Sequence, residues 1–172
     1  MTTNADRLLD IDVAIGIGVK HDAGKLDLTL IPWPCVAKFE FRNLILPLYR
    51  WYREGENPYE AQKHMRAEYE WRSRDLIADA AAAMNYGAAK YEPWNWEKGI
   101  SRKRLYAAAC RHYHAIERGE ETDPESGLSH YEHLAFYPMA IFAAIDDEPA
   151  RISDTQGELL LEAVGKALAT DG

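Results

Sequence analysis

Long hydrophobic runs are missing from this chain of 172 residues. No apolar stretch approaches the ~20 residues that a membrane-spanning helix requires, so we expect no membrane segment. Residues 1–12 are polar, and we expect them to be mobile. They contain no positively charged region before an apolar stretch, which a secretory signal peptide would need, so we expect none.

The chain also has few cysteines and no excess of positive charge. The two cysteines, Cys35 and Cys110, have apolar neighbours and no metal-ligand spacing, which predicts buried free thiols in a reducing cytosol. The net charge of −8 argues against nucleic-acid binding by charge alone. A small phosphorylated substrate is still compatible with this charge, because it needs only a local cluster of cations and metals.

Three sequence patterns are absent as well: sustained period-two alternation, internal repeats and a phosphate-binding P-loop. Gly18 and the pair Gly24-Lys25 fail the P-loop spacing because five residues separate the glycines and Leu26 follows the lysine. Without alternating strands the fold is predicted to be all-α. A content of 47% hydrophobic and 28% charged residues is ordinary for one soluble globular domain, here residues 1–172.

Helical periodicity and turn residues predict the elements of a helical bundle. Helices are expected to begin near Cys35 and Pro47, and residues 59–86 should form one long helix that ends at Gly87. Ser101 and Ser129 are expected to begin two further helices, and Pro138 should kink the second. Residues 36–82 are thus a long helical link, and a C-terminal helix is expected within residues 150–172.

Chemistry concentrates in residues 107–135, which contain four of the six histidines and an acidic loop. His130 and His133 are three residues apart on one helical face and could join His112 across a helix pair. A lone buried histidine is more often a hydrogen-bonded core residue, but three beside several carboxylates favour a metal site. Zinc is possible, although the excess of oxygen donors favours Mg²⁺ or Mn²⁺.

Two loops offer contacts for a nucleotide. Lys20 and Lys25 lie in a glycine-bent loop that either contacts phosphates or is simply solvated surface. Residues 88–99 place two tryptophans around Asn95, an arrangement suited to stacking on a base and bonding its edge. The alternative for this second loop is that its aromatic side chains only fix it to the core.

Three motifs in order carry a resemblance to a known family. They are V-K-H-D-A-G-K-L-D-L-x-L-I-P, then Y-G-A-A-K-Y-x-x-x-N-W-x-x-G, then R-H-x-x-A-x-x-x-G-E-x-x-D-P-E-S-G-L-x-H-x-x-H. Together they resemble the bacteriophage dATP/dGTP diphosphohydrolases, MazG-like all-α enzymes that include the group called MazZ. The resemblance covers residues 20–32 and 86–144, and leaves residues 36–82 without a counterpart of that length.

The resemblance implies hydrolysis of a purine deoxynucleoside triphosphate, dGTP or dATP, to the monophosphate and pyrophosphate. Water would attack the α-phosphate with the help of Mg²⁺ or Mn²⁺. It also implies a bundle completed by oligomerisation, as a homodimer or homotetramer, in the cytoplasm of the infected host cell.

Site residues follow from the same motifs. Substrate binding would involve Lys20, Asp22, Lys25, Lys90, Asn95, Trp96 and Arg111. Catalysis would involve His112, Glu120, Asp123, Glu125 and His130. The candidate metal ligands are Glu120, Asp123, Glu125, His130 and His133.

One departure from the MazG pattern leaves the ligand set open. MazG enzymes bind metal through E-E-x-x-E and E-x-x-D helices, whereas this chain has His130-x-x-His133 in place of the second. Either imidazoles replace two carboxylates, or the acids come from residues 59–86, where charges otherwise form a solvated face. The acids in question are Glu68, Glu70, Asp75 and Asp79.

Two other functions are considered beside the pyrophosphohydrolase. One is an HD-type triphosphohydrolase, for which His21-Asp22 is a single local match in a glycine loop. The other is a helical nucleotide-binding or interaction module without catalysis, in which Asp123 and Glu125 could be replaced by alanine with little loss.

Overall fold

The computed structural model describes residue 25 and residues 27–146. Within this part the α-helices are α1 (Trp33–Val36), α2 (Arg42–Tyr49), α3 (Pro58–Trp71), α4 (Leu76–Lys90), α5 (Arg102–Glu117) and α6 (His130–Ala140). A π-turn (Arg50–Glu54) extends α2, and 3₁₀ turns occupy Phe39–Phe41, Asn95–Lys98 and Ile141–Ala143. The all-α prediction is confirmed. None of the described helices combines the length and apolar character needed to cross a membrane.

Two very short strands are present beside the helices. β1 (Ile100–Ser101) pairs in parallel with β2 (Ala144–Ile145). Gly99 makes the pairing possible, because a Cβ at this position would come within 2.7 Å of the Ile145 side chain. Its φ of +85° is also one that glycine adopts most easily. Two paired residues give no period-two pattern, so the sequence contains no signal for them.

The core lies where α6 packs against both α4 and α5, and where α2 and α3 pack against each other and against these helices. Small residues on α5, among them Ala108 and Ala109, let these helices approach closely. Trp33 closes one end: its ring packs edge-on against Tyr113 at 5.0 Å and its Nε1 donates to Cys110 Sγ at 3.2 Å. Burial raises the pKa of the Cys110 thiol to about 12, so it stays protonated.

The prediction of one helix over residues 59–86 is wrong, because α3 and α4 are separate. Ser73 between them has a φ of +57°, which a helix cannot contain. Asp75 then begins α4 by accepting hydrogen bonds from the backbone N–H groups of Ile77 and Ala78. Helix α4 also continues through Gly87 to Lys90, so this glycine does not end it.

Other helix boundaries were predicted with mixed success. Ser101 and Ser129 begin α5 and α6 as expected, and Ser129 forms a capping box with Glu132. Pro47, in contrast, is buried inside α2 instead of at its start. Cys35 is exposed, which corrects the prediction that both cysteines are buried. The expectations for residues 1–12 and 150–172 lie outside the described residues.

Candidate active site

A cavity of about 690 Å³ opens between the end of α4, the loop after it, and the α5–α6 pair. This volume is in the range of sites for small ligands. Its walls combine cations, imidazoles, carboxylates and aromatic rings. The predicted site residues among them are Lys25, Lys90, Asn95, Trp96, Arg111, His112, Glu120, Asp123, Glu125, His130 and His133. Lys20 and Asp22 lie outside the described residues.

Three histidines form what we call the histidine cluster: His112 from α5, and His130 and His133 from α6. The rings of His112 and His133 stack at 4.3 Å with an angle of 5° between their planes. His112 Nδ1 lies 3.0 Å from His130 Nδ1, so one nitrogen must donate the proton that the other accepts. The spacing of three residues on α6 therefore brings both imidazoles to one α5 histidine, as predicted.

The acidic turn connects to the cluster through Asp123 and Ser126. Asp123 Oδ2 accepts from Ser126 Oγ at 2.9 Å and from Ser126 N at 3.3 Å, which holds the turn closed. Ser126 Oγ also lies 2.7 Å from His133 Nε2, and Asp123 Oδ2 lies 3.4 Å from the same nitrogen. Asp123 and His133 thus already contact each other and Ser126, which leaves them fewer free lone pairs for a metal ion.

His130 and Glu120 are the pair best suited to a divalent cation. His130 is 4% exposed, and among the described residues its Nε2 atom has no hydrogen-bond partner. Glu120 Oε2 lies 3.8 Å from that nitrogen. No three or more His, Cys, Asp or Glu side chains of the described part form a ready metal site. The Glu120 carboxylate suits Mg²⁺ or Mn²⁺, and Mg²⁺ commonly keeps waters and takes further ligands from substrate phosphates, whereas the His130 imidazole suits softer ions such as Zn²⁺ better.

Lys90 and Glu125 form an ion pair across the cavity. The hydrogen bond from Lys90 lowers the pKa of Glu125, and nearby Lys25 lowers it further. Burial disfavours the charged form of Lys90, yet the hydrogen bond to Glu125 raises its pKa. Both groups are therefore charged at neutral pH, and the lysines lie where an acidic group of a ligand would compete with Glu125.

The loop from Tyr91 to Gly99, here called the tryptophan loop, forms the aromatic wall. Asn95 is buried, and Trp96 packs partly against the core. Trp94, which the sequence-based site list omits, lines the same cavity and is 66% exposed. The sequence contained a signal, since two tryptophans flank the asparagine, but it could not show that both rings line the cavity and that Trp94 is the more exposed.

The four acids of residues 59–86 that were considered as metal ligands do not line this cavity. Glu68 is buried in an ion pair with Arg72, and Asp79 pairs with Arg74. Asp75 caps α4. None of the cavity-lining residues comes from α3. None of the four acids lines the cavity, whose described walls come mainly from α4, α5, α6 and the loops between them.

Comparison with known proteins identifies the family of this chain. The profile of a family described as dATP/dGTP diphosphohydrolase, N-terminal, matches residues 56–152, more than half of the chain. The chain belongs to this family. The resemblance inferred from the three motifs is thereby confirmed, and the family match begins inside the 36–82 link.

One relative is a dATP/dGTP diphosphohydrolase of Salmonella phage PMBT28. It is 34% identical over 71 residues, which cover 41% of this chain and 24% of the relative. The match therefore spans about a quarter of that protein. No solved structure gives a significant match.

Proposed function

We propose that this protein hydrolyses a purine deoxynucleoside triphosphate, dGTP or dATP, to the monophosphate and pyrophosphate. The observation that carries the proposal is one cavity with cations and a histidine–carboxylate cluster on one side and tryptophans on another. A deoxynucleoside triphosphate matches both parts, because its phosphates are negatively charged and its base is a flat aromatic ring. Family membership and the name of the phage relative support the same reaction.

Binding would begin with charge. Lys25, Lys90 and Arg111 line the cavity and would neutralise the triphosphate. Because Lys90 is paired with Glu125, the incoming phosphates would share or replace that carboxylate. Lys20 and Asp22 keep the substrate-binding role that the motifs predict.

Mg²⁺ or Mn²⁺ is part of the proposal. When bound, such an ion neutralises phosphate charge and lowers the pKa of a coordinated water. Glu120 and His130 would hold it through the facing Oε2 and Nε2 atoms, with the remaining positions filled by water and phosphate oxygens. The motifs also predict Asp123, Glu125 and His133 as ligands. Their contacts suit other tasks: Asp123 holds the acidic turn, Glu125 positions Lys90, and His133 positions Ser126.

The histidine cluster would orient this centre. The contact between His112 Nδ1 and His130 Nδ1 fixes the direction of the His130 ring. When His130 is the donor in that contact, its Nε2 carries the lone pair that faces Glu120. The attacking water gives up a proton to the solvent as its oxygen bonds to the α-phosphorus. The bond from that phosphorus to the α–β bridging oxygen breaks, and pyrophosphate leaves with the electron pair.

A panel of deoxynucleoside triphosphates with Mg²⁺ or Mn²⁺, with and without a chelator, tests the proposal. We expect pyrophosphate and monophosphate from dGTP or dATP, and no turnover with the chelator. Release of triphosphate would indicate the HD-type reaction, and binding without turnover would indicate a non-catalytic module. Light scattering would test the homodimer or homotetramer, which rests on the resemblance alone.

A further inference from the structure

Trp94 combines two features that protein folding alone does not favour. Its indole is 66% exposed, although burying a tryptophan side chain is a large source of stability. Its backbone has a φ of +63°, a region that residues other than glycine, and bulky residues above all, rarely occupy. Residues with strained backbone cluster at active sites and ligand clamps, so a strained backbone at an exposed indole beside the cavity points to a contact with ligand.

The surrounding loop holds this ring at the cavity rather than in the core. Trp94 immediately precedes the 3₁₀ turn Asn95–Lys98, and its carbonyl oxygen accepts from Glu97 N at 2.9 Å. Asn95 is buried and Trp96 packs against the core, so the residues after Trp94 are anchored. The two indoles lie 6.5 Å apart at 46°, which is not a parallel stack.

Resting on the proposed function, we infer that Trp94 is the stacking platform for the base and sets the preference for purines over pyrimidines. A purine has the larger ring system and covers more of an indole face than a pyrimidine does. Stacking contacts ring faces, whereas adenine and guanine differ only at their edges. Trp94 therefore favours both purines equally, and the choice between dATP and dGTP is made by other residues.

Binding of deoxynucleoside monophosphates, measured by calorimetry on the full chain, isolates this step from hydrolysis. We expect the wild type to bind dGMP and dAMP more tightly than dCMP. In Trp94→Ala, purine affinity should fall about 5- to 150-fold, the range typical of base–aromatic stacking. The ratio of purine to pyrimidine affinity should fall with it, while the ratio of dGMP to dAMP affinity stays unchanged.

Matched variants keep the result specific. Trp71 is similarly exposed, at 72%, but does not line the cavity, so Trp71→Ala should bind all three nucleotides like the wild type. Trp94→Phe should restore most of the purine preference, because a smaller aromatic face remains. If Trp94→Ala is unfolded, Trp94→Phe against Trp94→Leu gives the same comparison of an aromatic with an aliphatic side chain.

The outcomes separate this inference from the proposed function. Unchanged purine preference in Trp94→Ala overturns the role of Trp94, even if the wild type releases pyrophosphate. Trp94-dependent purine binding without any pyrophosphate release supports the role of Trp94 and overturns the proposed reaction. A wild type that binds none of the monophosphates and shows no purine preference in turnover overturns the inference as well.

Discussion

The histidine cluster and the tryptophan loop form two walls of the same cavity but are built in opposite ways. In the cluster, the three histidines are held on two packed helices: His112 Nδ1 lies 3.0 Å from His130 Nδ1, and the His112 and His133 ring centroids are 4.3 Å apart. In the loop, Trp94 lies exposed on a strained backbone. Reacting groups need fixed geometry, whereas a base needs an open face on which to stack. The difference suggests that one wall does chemistry and the other selects the substrate.

The largest effect is expected from His130→Ala, which removes the buried Nε2 atom that faces Glu120. Turnover should fall on the order of 100-fold, because positioned acid–base or metal-binding groups contribute this much. Pyrophosphate release by folded protein, checked by circular dichroism, measures it. His64→Ala, on the exposed face of α3, should be unaffected. If His130→Ala retained more than a tenth of the wild-type activity, a role of the histidine cluster in the reaction would be contradicted.

Asp123→Ala should reduce turnover about tenfold or more, since residues that position site groups typically contribute 10- to 100-fold. Ser126 N and Oγ would lose their acceptor, which should also cost about 1–3 kcal/mol of unfolding free energy. Urea unfolding and pyrophosphate assays measure the two effects. Glu121→Ala, an exposed change in the same loop, is the control. Full activity in Asp123→Ala would contradict a positioning role for this carboxylate.

Lys90→Met should raise KM about tenfold with little change in kcat, because it removes one charge-assisted phosphate contact. Lys98→Met is the matched control: Lys98 is paired with Glu92 on the tryptophan loop but does not line the cavity. A fall in kcat with an unchanged KM would contradict a role in binding.

The Lys90–Glu125 pair also predicts a pH dependence. The pKa of Glu125 is lowered, so its contribution to stability is present above the ordinary carboxyl pKa and is lost as pH falls through the lowered value. The pKa of Lys90 is raised, so its contribution is lost only as pH rises through that higher value. The Tm difference between wild type and Glu125→Gln should therefore be constant from about pH 6 to 9 and shrink below about pH 4.

Gly99→Ala tests how the tryptophan loop is anchored. The new Cβ would meet Ile145 at 2.7 Å and would adopt a φ of +85°, so we expect a loss of about 1–3 kcal/mol in stability. Gly87→Ala is the opposite case: in a helix with nothing within 4 Å, it should gain about 0.4–1 kcal/mol. Thermal unfolding measures both. Equal effects at the two glycines would show that β1–β2 does not fix the loop.

Much of the helical fold could be predicted because its signals are local. Ser101 and Ser129 are capping residues that indicate where α5 and α6 begin. The three-residue spacing of His130 and His133 likewise predicts that they share one helical face. The break between α3 and α4 was missed because good helix formers surround it. It depends on Asp75, whose capping role is visible only once the chain turns at Ser73.

Local sequence patterns were enough for the all-α class, the family and most of the chemical groups that line the cavity, since periodicity, caps and ordered motifs are properties of neighbouring residues. The pairing of those groups, in contrast, follows from the tertiary structure. It set His130 against Glu120, Ser126 between Asp123 and His133, and Glu125 against Lys90. It also showed that Trp94, which the motifs do not single out, lines the cavity together with Trp96 and is the more exposed of the two. Such pairings depend on how separate helices and loops pack, and no local pattern encodes that packing.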